Sequence, residues 1–104
     1  MKRIAQVMYI NPDCYDEYAK RHAEIWPEMK KLLKEYGATN YSIYLNRDNG
    51  QTLAYLEVPD IGTYNAIAKT DTCQKWWHYM APVMKTNSDE SPIADDLEEV
   101  FHLN

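Results

Sequence analysis

Glycine is scarce in this chain. Gly37, Gly50 and Gly62 are the only three in 104 residues, and they lie far apart. A phosphate-cradling loop needs glycines clustered ahead of a helix, so sites of that kind are excluded. Cysteine is sparser still: Cys14 and Cys73 stand alone, with no CxxC pair. Two isolated cysteines make no disulfide framework, and the dispersed His22, His78 and His102 make no zinc spacing, so no metal is expected. Positive charge is in deficit, at a net −5. Duplex nucleic acid and anionic membranes both require a basic footprint, so neither is an expected partner. No apolar run is long enough to span a bilayer, and the opening MKRIAQVMYINPD turns polar too soon for a signal peptide. The expectation is a cytoplasmic protein with reduced thiols. No Ser/His/Asp or Cys/His arrangement stands out, and Cys14, near a helix start, is a weak nucleophile candidate.

What is abundant is tyrosine, nine residues, together with three tryptophans. The length suits one domain spanning residues 1–104. Arg3–Ile10 reads as a strand ending at the turn Asn11-Pro12-Asp13, with Asp13 placed to cap the following helix through about Ala23. Pro27 suits the first position of a second helix, which Gly37 ends. Thr39–Asn46 alternates, with Tyr41, Ile43 and Leu45 on one face and Ser42, Tyr44 and Asn46 on the other. Asn49-Gly50 is a hairpin signal, and Gln51–Val58 is the returning strand. Asp60 caps a short helix to about Lys69. Asp71 and Gln74 fit a capping pattern for a helix that carries Cys73, Trp76, Trp77 and Met80 and stops at Pro82. Lys85–Pro92 reads as a polar loop and Leu97–Leu103 as the last strand.

The order β-α-β-β-α-β predicts an α+β, ferredoxin-like fold, an antiparallel sheet with helices on one face. Tyr9, Tyr41, Tyr44, Tyr55 and Phe101 cannot all pack beneath those helices. The sheet's other face should therefore carry large apolar groups, and a homodimer with sheets face to face is expected, as in dimeric α/β barrels.

Chemistry concentrates in Tyr18–Met29. Tyr18 and His22 lie four apart, on one helical face, in a helix that must break before Pro27. An imidazole can donate or accept a proton near neutral pH. Such a pair is also common as a satisfied structural contact. Trp76 and Trp77 point about 100° apart on a helix, so one can be core while the other reaches a pocket. Tyr and Trp walls with a single His suit a neutral polyhydroxylated ligand better than an anionic one.

The segments EYAKRHAEIWPEM, GATNYSIYL, TDTCQKWWHYM and LEEVFHLN closely resemble the L-rhamnose mutarotase family along nearly the whole chain. A shared fold alone would carry no function. The resemblance implies cofactor-free interconversion of the α and β anomers of L-rhamnose by a cytoplasmic homodimer. It puts the proton donor on His22 and substrate contacts on Tyr18, Tyr41, Trp76 and Trp77. Ring opening then needs an acid at the ring oxygen, the role expected of His22. It also needs a base at the anomeric hydroxyl, for which a tyrosine, a water, Glu24 or Glu28 is open. Two rival readings use the same fold: a dimeric binding module without catalysis, and a cofactor-free monooxygenase of flat aromatic substrates.

Overall fold

Alternating strands bury one edge of their side chains, and amphipathic helices supply the cover. The computed structural model describes residues 1–104. Its elements are β1 (Lys2–Tyr9), α1 (Tyr15–Ala23), α2 (Pro27–Glu35), β2 (Thr39–Asn46), β3 (Gln51–Val58), α3 (Ile61–Asn65), α4 (Asp71–Met80) and β4 (Ala94–Asp96). A 3-10 turn, Ala66–Lys69, joins α3 to α4, and another, Ala81–Val83, follows α4. The sheet runs β2-β3-β1-β4, antiparallel throughout. This is the ferredoxin-like arrangement that the element order predicts. No helix is long and apolar enough to cross a membrane.

Register decides which side chains meet the helices. Met8 opposes Thr52, and Ile43 and Leu45 oppose Ala54 and Thr52. Thr52, Ala54, Leu56 and Val58 are almost fully buried, whereas Leu53 on the other face is 41% exposed. A core of Met8, Ile10, Tyr18, Met29, Ala54, Ile67, Cys73, Trp76, Met80, Val83 and Met84 fills the space between sheet and helices. The opposite face carries Tyr9, Leu53, Tyr55 and Tyr44, the last 65% exposed.

Local chemistry explains most boundaries. Pro27 opens α2, where its missing N–H costs nothing. Gly37, at φ 93, carries the chain out of it. The Asp60 carboxylate accepts from the Thr63 N–H at 2.7 Å and caps α3. The hairpin loop is Arg47–Gly50, with Gly50 at φ 74 and its N–H donating to the Asn46 carbonyl at 2.9 Å. A Cβ at Gly50 would stand 2.8 Å from the Tyr15 hydroxyl and 2.9 Å from the Ile10 carbonyl, so the site admits only glycine.

Three expectations need correction. Asp13 does not cap α1; it turns to φ 68, and Cys14 takes the cap position without a side-chain bond. Asp71 does not cap α4. Thr70, extended at φ −84 and ψ 147, does so, accepting from the Cys73 N–H at 3.3 Å. A cap must sit in extended backbone ahead of the first turn, and only Thr70 does. The last strand is Ala94–Asp96, pairing with β1 through Met8, Val7 and Gln6. Leu97 still donates its N–H to the Ala5 carbonyl at 2.9 Å and Glu99 pairs with Arg3, but residues 97–104 form no strand, and Val100, Phe101 and Leu103 are at least 77% exposed. Their alternation is real, but within one chain no surface covers either side of it.

Candidate active site

Between the helices and the sheet lies a cavity of 1090 Å³. Tyr18 and His22 from α1, Tyr41 from β2, Tyr64 from α3, and Cys73, Trp76 and Trp77 from α4 all line it. All five residues expected to form the site thus converge on one space. Every methionine in the chain, Met1, Met8, Met29, Met80 and Met84, also lines it. No aspartate or glutamate does, so Glu24 and Glu28, open as bases on sequence grounds, lie outside the lining. No three His, Cys, Asp or Glu side chains group as metal ligands.

Helical spacing places the first pair. The Tyr18 and His22 rings lie 4.4 Å apart between centroids, tilted by 41°. His22 Nδ1 is 3.2 Å from the Tyr18 backbone carbonyl oxygen. A carbonyl only accepts, so Nδ1 carries the hydrogen, and in the neutral ring Nε2 is the bare acceptor. Burial lowers the His22 pKa below the ordinary 6.5, opposed by the bond to Tyr18. The neutral ring therefore dominates at pH 7. This orientation bears on direction: a histidine at rest in this form accepts a proton before it can give one.

Tyr41 reaches the cavity on the face that alternation gives it, beside Ile43. The β2 register shifts between Thr39, opposite Glu57, and Ser42, opposite Tyr55, with Asn40 at φ 48. This bulge inserts one residue, so Tyr41 and Ile43 stay together on the helix side while Thr39 is turned opposite Glu57. The residue is 37% exposed overall, yet its hydroxyl end points inward toward Tyr64 and Cys73. Burial raises the Tyr41, Tyr18 and Tyr64 pKa values, so all three remain protonated phenols, able to donate. Burial also pushes the Cys73 thiol up to about 11, which removes it as a nucleophile near neutral pH.

Trp76 is 6% exposed and sits in an aromatic cluster, 5.1 Å from Trp26 and 5.5 Å from His22, nearly perpendicular to both. Trp77 is half-buried and outside that cluster, so it is the ring freer to meet a ligand. Trp26 does not line the cavity; it backs Trp76 and Tyr79. Tyr64 was missed on the sequence. Nothing in its sequence neighbours marks the cavity.

The model of the family described as L-rhamnose mutarotase matches residues 3–103. The chain belongs to the L-rhamnose mutarotase family. An L-rhamnose mutarotase of Lactiplantibacillus plantarum is 67% identical over 104 residues, covering all of both chains. One from Bacillus subtilis is 52% identical, again with full coverage of both. The crystal structure of an L-rhamnose mutarotase from Formosa agariphila superposes with a TM-score of 0.93 at 35% identity, covering 100% of each chain. An antibiotic biosynthesis monooxygenase shares the fold alone, at TM-score 0.64 and 12% identity over 96% of this chain and 99% of that one. The sequence resemblance to the mutarotase family therefore holds, and the monooxygenase alternative is not favoured.

Proposed function

We propose that this chain interconverts the α and β anomers of L-rhamnose, with His22 carrying the proton and the cavity holding the sugar. The observation that carries the chemical reading is a half-buried imidazole, its pKa lowered by burial, on the wall of a carboxylate-free cavity in a member of this family. Mutarotation breaks the bond between the anomeric carbon and the ring oxygen, then remakes it on the other face. Opening removes a proton from the anomeric hydroxyl and delivers one to the ring oxygen. His22 Nε2 accepts the first. A protonated phenol, Tyr18 or Tyr41, polarises the ring oxygen by hydrogen bonding, and the imidazolium then passes the proton it took to that oxygen, directly or through a water, which leaves the open-chain aldehyde and a neutral His22. Closure runs the same steps backward. On this reading His22 starts as base and becomes the acid, so the donor role that the resemblance implies is its second step. Tyr18 and Tyr41 orient hydroxyls, while Trp76 and Trp77 face the apolar side of the ring and its 6-deoxy methyl.

Saturation-transfer NMR on L-rhamnose measures exchange between anomers directly. The wild-type protein should accelerate it, and His22→Ala should return it to the buffer rate. Exchange by His22→Ala as fast as wild type would sink the role of the imidazole. Bound sugar without accelerated exchange would favour the non-catalytic binding module.

A homodimer in the cytoplasm belongs to the same reading. Two observations support it: the uncovered sheet face with Tyr44 and Leu53, and the free thiols Cys14 and Cys73.

A further inference from the structure

We infer that Arg21, which does not line the cavity, is a positioning residue: it bolts the end of α1 to the end of α4 and so fixes His22 against Trp76, a role whose kinetic consequence rests on the mutarotase reading.

The contacts run in a chain. Arg21 Nε donates to Glu17 one turn back, at 2.7 Å. A terminal N–H of the same guanidinium donates to the Tyr79 backbone carbonyl. Its central carbon lies 4.3 Å above the Tyr79 ring centroid. Tyr79 stands in the last turn of α4, where carbonyls have no partner within the helix. The guanidinium satisfies that carbonyl and sets positive charge at the helix's negative end. The Tyr79 ring then leans on Trp26 at 5.4 Å and on Trp76 at 5.7 Å. Trp76 closes the circuit at His22, 5.5 Å away and perpendicular. Three contacts, Arg21 on Tyr79, Tyr79 on Trp76 and Trp76 on His22, thus join Arg21 to the imidazole that neighbours it in sequence.

An exposed ion pair alone would matter little. Here the side chain is only 19% exposed and makes three different contacts, to a carboxylate, a carbonyl and a ring. Lysine can keep the charge but cannot reproduce a planar fork stacked on a ring. Glu17, Arg21 and Tyr79 are all absent from the cavity lining, so changing them removes no direct ligand contact.

The test pairs anomer exchange on L-rhamnose with the imidazole ¹⁵N spectrum of His22 in histidine-labelled protein. Arg21→Lys should slow exchange at saturating sugar by about three- to tenfold and Arg21→Ala by about ten- to a hundredfold, the scale set by slight misplacement of a reacting group. The half-saturating sugar concentration should stay within about twofold of wild type, because no ligand contact is lost. The His22 nitrogen signals should move in both variants, and Tyr79→Leu should reproduce the effect. If Arg21→Ala does not fold, Arg21→Lys and Glu17→Gln carry the same comparison. Variants whose folded molecules exchange anomers at the wild-type rate, with unmoved His22 signals, would overturn the assignment. Should the wild-type protein exchange no anomers, the mutarotase reading fails, yet the imidazole signals still decide whether Arg21 positions His22.

Discussion

His22 is held by a bond that leaves one nitrogen free. Because its Nδ1–H is engaged by the Tyr18 carbonyl, Nε2 is the end available for chemistry, and protonating it costs the burial of a charge. Two outcomes follow from the lowered pKa. Exchange should rise with pH through a value below 6.5 and level off near neutrality, since the neutral ring is the working form. A rate that falls as pH rises through that range would mean that the imidazolium starts the reaction as donor. Stability should follow the same group. The unfolded chain binds the proton more readily, so His22 costs nothing above pH 6.5 and destabilises the fold progressively as pH drops from there to the lowered value. Replacing His22 with Gln should flatten that limb of a urea-midpoint profile.

At the level of elements, two short devices hold the site in shape. The Thr70 cap fixes the start of the helix that bears Trp76 and Trp77. Thr70→Ala should lower unfolding stability by about 1 kcal/mol, read from chemical denaturation, and Thr70→Ser should recover most of it. The glycine closing the β2–β3 hairpin is less forgiving. Gly50→Ala combines a left-handed backbone with contact on the Ile10 carbonyl, and a loss of at least about 2 kcal/mol is expected. The same elements show what a sequence reveals. β2 and β3 were legible to the residue, because strict alternation is interrupted by Asn49-Gly50 and closed by Pro59. Tyr18 and His22 were legible because helical spacing is local. The bulge at Asn40 was not, since it shows only as a register shift against β3, a partner distant in the chain. β4 was misplaced by a few residues for a related reason. Ala94-Asp95-Asp96 has no apolar alternation, and its pairing depends on Gln6 bonding Asp96 at 2.8 Å and Tyr9 reaching Asp95.

For the whole molecule, the sheet has one dressed face and one bare face. Helices cover the first; on the second, Tyr44 and Leu53 stand exposed. Sedimentation of the wild-type chain should report a dimer, and Leu53→Glu with Tyr44→Glu should shift it to monomer by placing unpaired charge in the buried centre of the contact. A wild-type monomer at micromolar concentration would remove the face-to-face arrangement. Fold similarity to monooxygenases does not carry over to chemistry, because the lining groups, and not the sheet, decide what reacts.

The gathering of all five methionines around one cavity makes the protein its own reporter. Isotope labelling of methionine methyls alone would yield signals from the ligand chamber and from nowhere else in the chain. Titrating L-rhamnose should shift several of them together while backbone amides on the bare sheet face stay still. The same gathering is a chemical weakness. Peroxide converts thioethers to polar sulfoxides; Met1, 68% exposed, is open to it at once, whereas Met8, Met29, Met80 and Met84, at most 8% exposed, are reached only through the cavity, and bound sugar should slow the oxidation of those four.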